Sequence, residues 1–261
     1  MRIVTLTSDL STRDFYVGAI KGALYSEYPQ VNIVDITHQI PSYNISIAAF
    51  SLKNCYRDFP EGTIHVIAVS TESTEEVRHL AVAYDNHIFI GPDNGVFALI
   101  FEEEATEMVE ISLFPNQHLS KFPAKEIFVK AAGLILKGNE LSSLGIPTDR
   151  LLEKVDIAPT TEQDLIKGHA IYIDAFGNII TNISKEMFEM IGKDRPFQIL
   201  FRREQYAISV INQNYNEVPE GEMLALFSHN GYLEIAINKG NASNLFGIKL
   251  NDTIRIEFSN K

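Results

Sequence analysis

The chain has 261 residues, 45% of them hydrophobic, which is enough to build the core of a soluble protein of one or two domains. Its formal net charge of −12, with no basic stripe to offset it, argues against nucleic-acid binding. No run approaches the ~20 apolar residues of a membrane span, and the single cysteine, Cys55, allows no intrachain disulfide, so we expect a cytoplasmic protein without membrane contact.

The first half of the chain alternates strand-like and helix-like segments. Strands are predicted at Arg2–Thr7, Val31–Ile36 and Thr63–Val69, and helices at Phe15–Tyr25, Ser46–Tyr56 and Phe128–Leu136. Leu80–Tyr84 and His87–Ile90 are expected to form a hairpin around the turn-prone pair Asp85-Asn86. This alternation predicts an α/β N-terminal domain with a mostly parallel sheet over residues 1–157.

A polar, proline-containing stretch, IAPTTEQD, interrupts the periodicity and predicts a linker at about residues 158–164. Residues 165–261 contain short β segments with turn signals between them. These are His169–Asp174, Asn178–Ile183, Phe197–Phe201, Gln205–Val210, Met223–Phe227, Tyr232–Ile237 and Thr253–Phe258. Many short strands with few helices predict a small all-β, barrel-like C-terminal domain.

Two polar clusters follow predicted strands of the N-terminal domain, where open α/β sheets bind ligands. Asp9 could accept hydrogen bonds from a ribose diol, or it could cap the next helix, which is the commoner role for this local pattern. Asp14 is either a first-turn partner of the helix dipole or a ligand contact. Asp35, Thr37 and His38 could act as acid/base or binding groups, or they could form a turn that stiffens the exit from the sheet.

Three further motifs are rich in turn residues. Gly91–Gly95 (GPDNG) is predicted to be a tight turn in which Gly95 takes a positive φ. Asp174–Asn178 (DAFGN) places an acid, an aromatic ring and an amide beside a glycine that permits close backbone approach, and a β-turn is its simpler interpretation. Asn230-Gly231 is a hairpin turn before YLEIAINKGNAS. None of these motifs identifies a function alone.

Taken in order, however, these stretches resemble one family, the S-adenosyl-L-methionine (SAM) hydroxide adenosyltransferases, which are similar to the SAM-dependent fluorinase and chlorinase. The matching stretches span residues 3 to about 243 and read TSDL…DFYVGAIKGAL, VDITHQIP, FPEGTIHVIAV, IGPDNGVF, IDAFGNIITNI and GYLEIAINKGNAS. The resemblance implies an α/β N-terminal domain, a β-barrel-like C-terminal domain and a homotrimer. SAM or adenosine would lie between the N-terminal domain of one subunit and the C-terminal domain of the next.

The resemblance also implies roles for residues of the N-terminal domain. Asp9 would hold the ribose hydroxyls, and Tyr43 would pack against the ligand as an aromatic does in the halogenases. Asp14 and Ser73 belong to the same predicted ligand-binding set.

The C-terminal domain would supply the remaining ligand contacts. Phe176 and Asn178 would face the adenine, Asp174 would bind the methionine ammonium, and Ser228 would bind its carboxylate. Asn238 completes the predicted set.

The family's reaction is displacement at the 5′ carbon of SAM by hydroxide or halide, with neutral methionine leaving and no metal or other cofactor. The hydrolytic members are associated with an Asp-Arg-His set, found in VDPGVG-x-x-R and FHGRDIF stretches. In this chain Ser70 stands in place of the Asp, and Pro123 stands in place of the His. Arg78 matches the Arg only if one residue is inserted. Ser70 and Arg78 are the catalytic candidates that these stretches retain.

Three interpretations of function stay open. In the first, which we favour, the chain hydrolyses SAM to adenosine and L-methionine with other groups. Glu72, Glu75, His79 and His118 lie nearby in the sequence, although a solvated surface position is the commoner role for each of them. In the second, it binds SAM or adenosine without catalysis. In the third, it uses a halide held by Ser70 and its neighbour Ser73, although the long N-terminal-domain insertion of the halogenases is absent.

Overall fold

A computed structural model describes residues 2–72, 77–113, 116–202 and 206–259. Contacts within the chain divide it into two units, Met1–Asp156 and Ile157–Lys261, and each unit has its own hydrophobic core. Among the described residues, no helix combines the length and the apolar character that a membrane crossing requires.

The N-terminal unit is built on a seven-stranded sheet in the order β2-β1-β3-β5-β4-β6-β7. Its strands are β1 (Ile3–Ser8), β2 (Asn32–Thr37), β3 (Ile64–Ala68), β4 (His79–Tyr84), β5 (His87–Pro92), β6 (Glu107–Ile111) and β7 (Gly145–Pro147). The pairings from β2 to β5 are parallel, and those from β5 to β7 are antiparallel. The sheet is therefore mixed, and the prediction of a mostly parallel sheet is wrong.

The change of direction has a local cause at the β4–β5 hairpin. Asp85 and Asn86 both adopt left-handed backbone angles, with φ of 50° and 60°, so the chain reverses within two residues. This confirms the predicted hairpin. Because β6 and β7 then add antiparallel beyond β4, three of the six pairings in the sheet are antiparallel.

Helices of the N-terminal unit bury apolar stripes. They are α1 (Tyr16–Glu27), α2 (Ile45–Lys53), α3 (Val96–Ile100) and α4 (Val129–Leu136), the last preceded by a π-helical turn at Ala124–Phe128. In α1 the buried residues Val17, Ile20 and Leu24 follow helical spacing. Helix α1 packs against α4, and α2 packs against α3.

The C-terminal unit is one curled eight-stranded sheet that forms a half-barrel. Seven strands follow the order β11-β15-β9-β10-β14-β13-β12, and β8 pairs with β9. The strands are β8 (Thr160–Glu162), β9 (Leu165–Ile173), β10 (Ile179–Ser184), β11 (Phe197–Phe201), β12 (Ile211–Asn212), β13 (Met223–Phe227), β14 (Tyr232–Ile237) and β15 (Thr253–Phe258). Strand β15 shows strict alternation of exposed and buried side chains, as expected when one face of a strand covers a core.

Two details of the C-terminal unit differ from the sequence prediction. The unit contains two short helices, α5 (Lys185–Gly192) and α6 (Ala242–Phe246). The strand predicted at Gln205–Val210 is wrong, since residues 206–210 form only a single bridge, between Ile208 and Ile199.

The parallel part of the N-terminal sheet positions the first candidate site. Strand β1 lies between β2 and β3, and all three run in the same direction. Their carboxyl ends, Ser8, Thr37 and Ala68, therefore meet at one edge of the sheet. This is the place where open α/β sheets bind their ligands.

Candidate functional site

Loops that leave β1, β2 and β3 surround a cavity of about 510 Å³, here called the N-terminal cleft. Ten residues line it: Asp9, Leu10, Ser42, Tyr43, Ser70, Thr71, Glu72, Ser120, Lys121 and Pro123. Most are polar, and three have acidic or basic side chains. The cleft therefore suits a polar ligand with hydroxyl groups.

Asp9 is held in place by backbone groups from the two neighbouring loops. Its Oδ2 accepts hydrogen bonds from the N–H of Tyr43 at 2.9 Å and the N–H of Ser70 at 3.3 Å. Both donors lie in the left-handed region, with φ of 65° for Tyr43 and 51° for Ser70. Non-glycine residues adopt this conformation at a cost, and such strain concentrates at functional sites. Within the described ranges no group donates to Oδ1 of Asp9, so this oxygen can accept from a ligand in the cleft.

A buried contact fixes the loop that carries Asp9 to the loop that follows β2. The hydroxyl of Ser8 lies 2.7 Å from Nδ1 of His38, and the N–H of Ser11 donates to the His38 carbonyl at 2.9 Å. On its other side, Nε2 of His38 lies 3.0 Å from Oδ1 of Asp35. His38 is buried and outside the cleft lining, so the structure favours the stiffening role for this cluster.

Opposing effects act on the pKa of Asp35, which lies near the end of β2. Burial alone would raise the pKa of Asp35, but the ammonium of Lys21 at 2.6 Å and the imidazole of His38 outweigh burial and lower it. The carboxylate is thus ionised at neutral pH and lies beside the His38 ring.

The GPDNG motif contacts the backbone of the loop that carries Ser70. Asn94 donates from Nδ2 to the carbonyl oxygens of Val69 and Ser70, at 3.1 Å and 3.3 Å. Gly95 takes a φ of 94°, which confirms the predicted positive φ. The motif therefore fixes the backbone of Ser70, which in turn donates to Asp9.

Arg78 makes its contacts away from the N-terminal cleft. Its guanidinium pairs with the buried carboxylate of Asp93 and donates to the Arg150 carbonyl at 2.9 Å and the Thr148 hydroxyl at 3.3 Å. Asp93 also accepts the N–H of Leu152 at 2.8 Å. Arg78 and Asp93 hold the segment 148–152 against the sheet edge.

A second cavity, of about 790 Å³ and here called the C-terminal cleft, lies in the C-terminal unit. Nine residues line it: Asp174, Phe176, Asn178, Tyr215, Ile237, Asn238, Lys239, Gly240 and Asn241. The predicted residues Asp174, Phe176, Asn178 and Asn238 are thus brought together at one cavity. Their mixture of an aromatic ring, amides and an acid fits a flat, hydrogen-bonding ligand.

The turn at Asp174–Asn178 is organised by its own acid. Oδ1 of Asp174 accepts the N–H of Phe176 at 2.9 Å and that of Asn178 at 2.8 Å, and Oδ2 accepts from the Asn178 amide at 3.0 Å. Gly177 has a φ of 85°, and a Cβ atom there would collide with the side chain of Asn241. The turn leaves the Phe176 ring 77% exposed at the cleft, where it can stack on a ligand.

Beside this turn the exposed Tyr215 pairs with the buried Glu234, a contact that the sequence does not predict. The Tyr215 hydroxyl donates to Oε1 of Glu234 at 2.6 Å. Burial raises the pKa of Glu234, although the hydrogen bond from Tyr215 opposes the shift. The pair fixes the Tyr215 ring in the cleft wall. The only sequence signal nearby is the capping box of Asn214 and Glu217, which predicts a turn and not a contact.

Asn238 and Ser228 use their polar groups differently. Asn238 is buried and donates from Nδ2 to the Val218 carbonyl at 2.7 Å, in the wall of the C-terminal cleft. The Ser228 hydroxyl is engaged inside its own turn, with Oδ1 of Asn230 at 2.6 Å. Ser228 lies outside the lining of the C-terminal cleft.

Family models match both units of the chain. Residues 4–145 match the SAM hydroxide adenosyltransferase N-terminal domain, and residues 168–255 match the corresponding C-terminal domain. The chain belongs to the SAM hydroxide adenosyltransferase family.

Curated relatives of this family member include enzymes of two kinds. It is 29% identical to the (R)-S-adenosyl-L-methionine hydrolase of Methanocaldococcus jannaschii, covering 97% of this chain and 95% of the relative. It is 24% identical to the fluorinase of Nocardia brasiliensis, covering 98% and 96%. A crystal structure of a conserved protein from Thermotoga maritima matches with a TM-score of 0.86 at 28% identity, covering 97% of this chain and 99% of that one.

Positions where this family member departs from the hydrolytic pattern face the same cavity. Ser70 and Pro123, which replace the Asp and the His, both line the N-terminal cleft together with Asp9. The residue expected to hold the ribose and the two positions expected to differ from the hydrolytic pattern therefore lie in one cavity.

One predicted ligand contact, Asp14, lies away from the N-terminal cleft. Asp14 is exposed and precedes α1, outside the cleft lining and outside the first turn of the helix. Ser73 lies outside the described residues, as does Glu75.

Proposed function

We propose that this protein binds SAM and cleaves it with water to adenosine and L-methionine by displacement at the 5′ carbon. The observation that carries the proposal is a family match over both units, combined with a fixed carboxylate, Asp9, in a polar cleft at the carboxyl ends of the parallel strands. Relatives named SAM hydrolases, 22–29% identical over nearly the whole chain, support the same reaction.

In this proposal the N-terminal cleft holds the ribose. The Asp9 oxygen that is free of backbone contacts accepts hydrogen bonds from the two ribose hydroxyls. Tyr43, whose side chain is 67% exposed, lies in the same lining and covers the sugar and the reacting carbon. Excluding bulk water there favours a single, positioned water molecule as nucleophile.

The C-terminal cleft holds the adenine and part of the methionine. Phe176 stacks on the base, Asn178 and Asn238 present amides to its edge, and Asp174 attracts the ammonium. Ser228 is assigned to the methionine carboxylate, which requires its hydroxyl to leave Asn230.

The reaction needs no metal or other cofactor in this account. The sulfonium carries a positive charge, so cleavage of the carbon–sulfur bond releases a neutral thioether, and the electron pair of that bond stays on sulfur. The protein's task is to position the 5′ carbon and to accept one proton from water. Turnover should therefore survive dialysis against EDTA.

We also propose a cytoplasmic homotrimer in which one SAM molecule uses the N-terminal cleft of one subunit and the C-terminal cleft of another. Mixing experiments test this arrangement. Two inactive variants, Asp9→Ala and Asp174→Ala, should regain activity when they are unfolded and refolded together, because about a quarter of shared sites would then be intact. Activity that stays absent in the mixture, or a monomeric mass by light scattering, would contradict it.

Loss of catalysis is the second candidate function, and the replacements Ser70 and Pro123 favour it. One experiment separates the candidates: purified protein is incubated with SAM, with and without chloride, and products are followed by chromatography. Adenosine and methionine in equal amounts support the hydrolase. Absent turnover with a SAM-dependent rise in melting temperature identifies a binding protein. A chloride-dependent 5′-chloro product identifies a halogenase, the alternative that the fluorinase relatives keep open.

A further inference from the structure

The lining of the N-terminal cleft includes two carboxyl side chains, Asp9 and Glu72, and one amine, Lys121. If the protein hydrolyses SAM as proposed above, a proton acceptor must lie near the attacking water. The inference that follows identifies this acceptor and therefore rests on the proposed function. In the hydrolytic family pattern an Asp and a His stand where this cleft has Ser70 and Pro123. Neither serine nor proline accepts a proton at neutral pH. The acceptor must therefore come from another residue of the lining.

Asp9 is committed to other partners. One of its oxygens already accepts the N–H groups of Tyr43 and Ser70, and the other is assigned to the ribose hydroxyls. Asp9 therefore positions the substrate.

The nearby histidines and Arg78 are also poor candidates. His79 is buried with its ring edge-on to Phe128, and burial lowers the pKa of His79 to about 4. His118 lies in the turn Gln117–Leu119, outside the cleft lining. The Arg78 guanidinium is paired with Asp93.

We propose that Glu72 is the catalytic base of this cleft. Glu72 follows two residues after Ser70, whose N–H binds Asp9 and whose carbonyl accepts from Asn94, so the loop leaves the sheet from a point fixed relative to the ribose carboxylate. Its side chain is exposed and lines the cavity that contains Asp9. Its carboxylate thus shares one cavity with Asp9, where the proposed function places the ribose and the attacking water.

The step balances as a simple displacement. The water oxygen forms a bond to the 5′ carbon while the carbon–sulfur bond breaks, and its electron pair moves onto sulfur. One water proton passes to Glu72, which later returns it to solvent. Lys121, in the same lining, adds a positive charge that stabilises hydroxide character on the attacking oxygen.

The test uses the full-length protein and four variants. Glu72→Gln should lower kcat for adenosine formation by about 10²–10⁴-fold, while the SAM-induced rise in melting temperature is retained. Glu72→Ala should show a similarly low kcat for adenosine formation. Added formate, a small carboxylate that can replace the missing base, should raise that kcat. Glu103→Gln, the same substitution at an exposed glutamate outside the cleft, should behave like the unchanged protein. Lys121→Met should slow turnover without becoming sensitive to formate.

Two results would overturn this assignment. A Glu72→Gln variant with unchanged kcat, or a slow Glu72→Ala variant that formate does not accelerate, removes Glu72 from the proton transfer while leaving SAM hydrolysis intact. If the unchanged protein forms no adenosine at all, the proposed function fails and this inference fails with it.

Discussion

Replacing Asp9 with asparagine separates ligand binding from folding. The Asn side-chain oxygen can still accept the N–H groups of Tyr43 and Ser70, so the two loops stay joined. The atom that faces the ribose becomes an N–H₂ donor and loses its charge. A hydrogen bond to a charged group contributes about 1.5–3 kcal/mol, so SAM should bind about 10- to 150-fold more weakly.

Calorimetry on Asp9→Asn and Asp9→Ala measures both effects. Asp9→Ala leaves two backbone N–H groups without their carboxylate, so it should also lower the free energy of unfolding by about 1–2 kcal/mol. Asp149→Asn, at an exposed acid of the same unit, serves as the control and should change neither quantity. Unchanged SAM affinity in Asp9→Asn, with a folded protein, would refute the assignment of Asp9 to the ribose.

Three further changes test other parts of the structure. Gly177→Ala should destabilise the C-terminal unit by more than about 1 kcal/mol in urea unfolding, because φ is 85° and the new Cβ meets Asn241; equal stability would mean that the turn relaxes freely. Burial holds His79 neutral with a pKa of about 4, so the stability it contributes above its unfolded pKa of ~6.5 is lost as pH falls toward 4. Between pH 7 and pH 5, the free energy of unfolding of the His79→Leu variant should therefore fall by about 2 kcal/mol less than that of the unchanged protein. An equal fall in both proteins would contradict this. Tyr215→Phe removes the hydrogen bond to buried Glu234, so it should lower stability by about 1–3 kcal/mol, and combining it with Glu234→Leu should recover part of that loss; a purely additive double variant would argue against the pair.

Much of the N-terminal cleft could be predicted from the sequence. Polar residues directly after β1 and β2 are local signals, and parallel strands necessarily bring their carboxyl ends together. Asp9 and Tyr43 were identified from this pattern and from the family resemblance, and both line the cleft. The turn-prone pair Asp85-Asn86 predicts the hairpin too, but a local turn signal does not specify that β6 and β7 pair antiparallel beyond β4.

Contacts between distant residues could not be predicted. Ser8 and His38 are 30 residues apart, and their contact depends on the register between β1 and β2, including its irregularity after Leu6. Arg78 illustrates the same limit, since its alignment with a family arginine gives no sign of its pairing with Asp93. Sequence position places a residue on an element, whereas the partners of a long side chain depend on tertiary packing.

The C-terminal cleft shows an intermediate case. The DAFGN motif indicated a glycine turn, and the structure adds that the acid organises it. Tyr215 approaches from a short turn 19 residues before Glu234, with no periodic pattern to indicate the contact.

The most direct test of SAM hydrolysis at the 5′ carbon uses isotopically labelled water. The protein is incubated with SAM in H₂¹⁸O, and the adenosine formed is examined by mass spectrometry. Our account predicts one ¹⁸O atom on the 5′ carbon of adenosine and none in methionine. Adenosine without the label, or cleavage products that retain sulfur on the 5′ carbon, would contradict attack by water at that position.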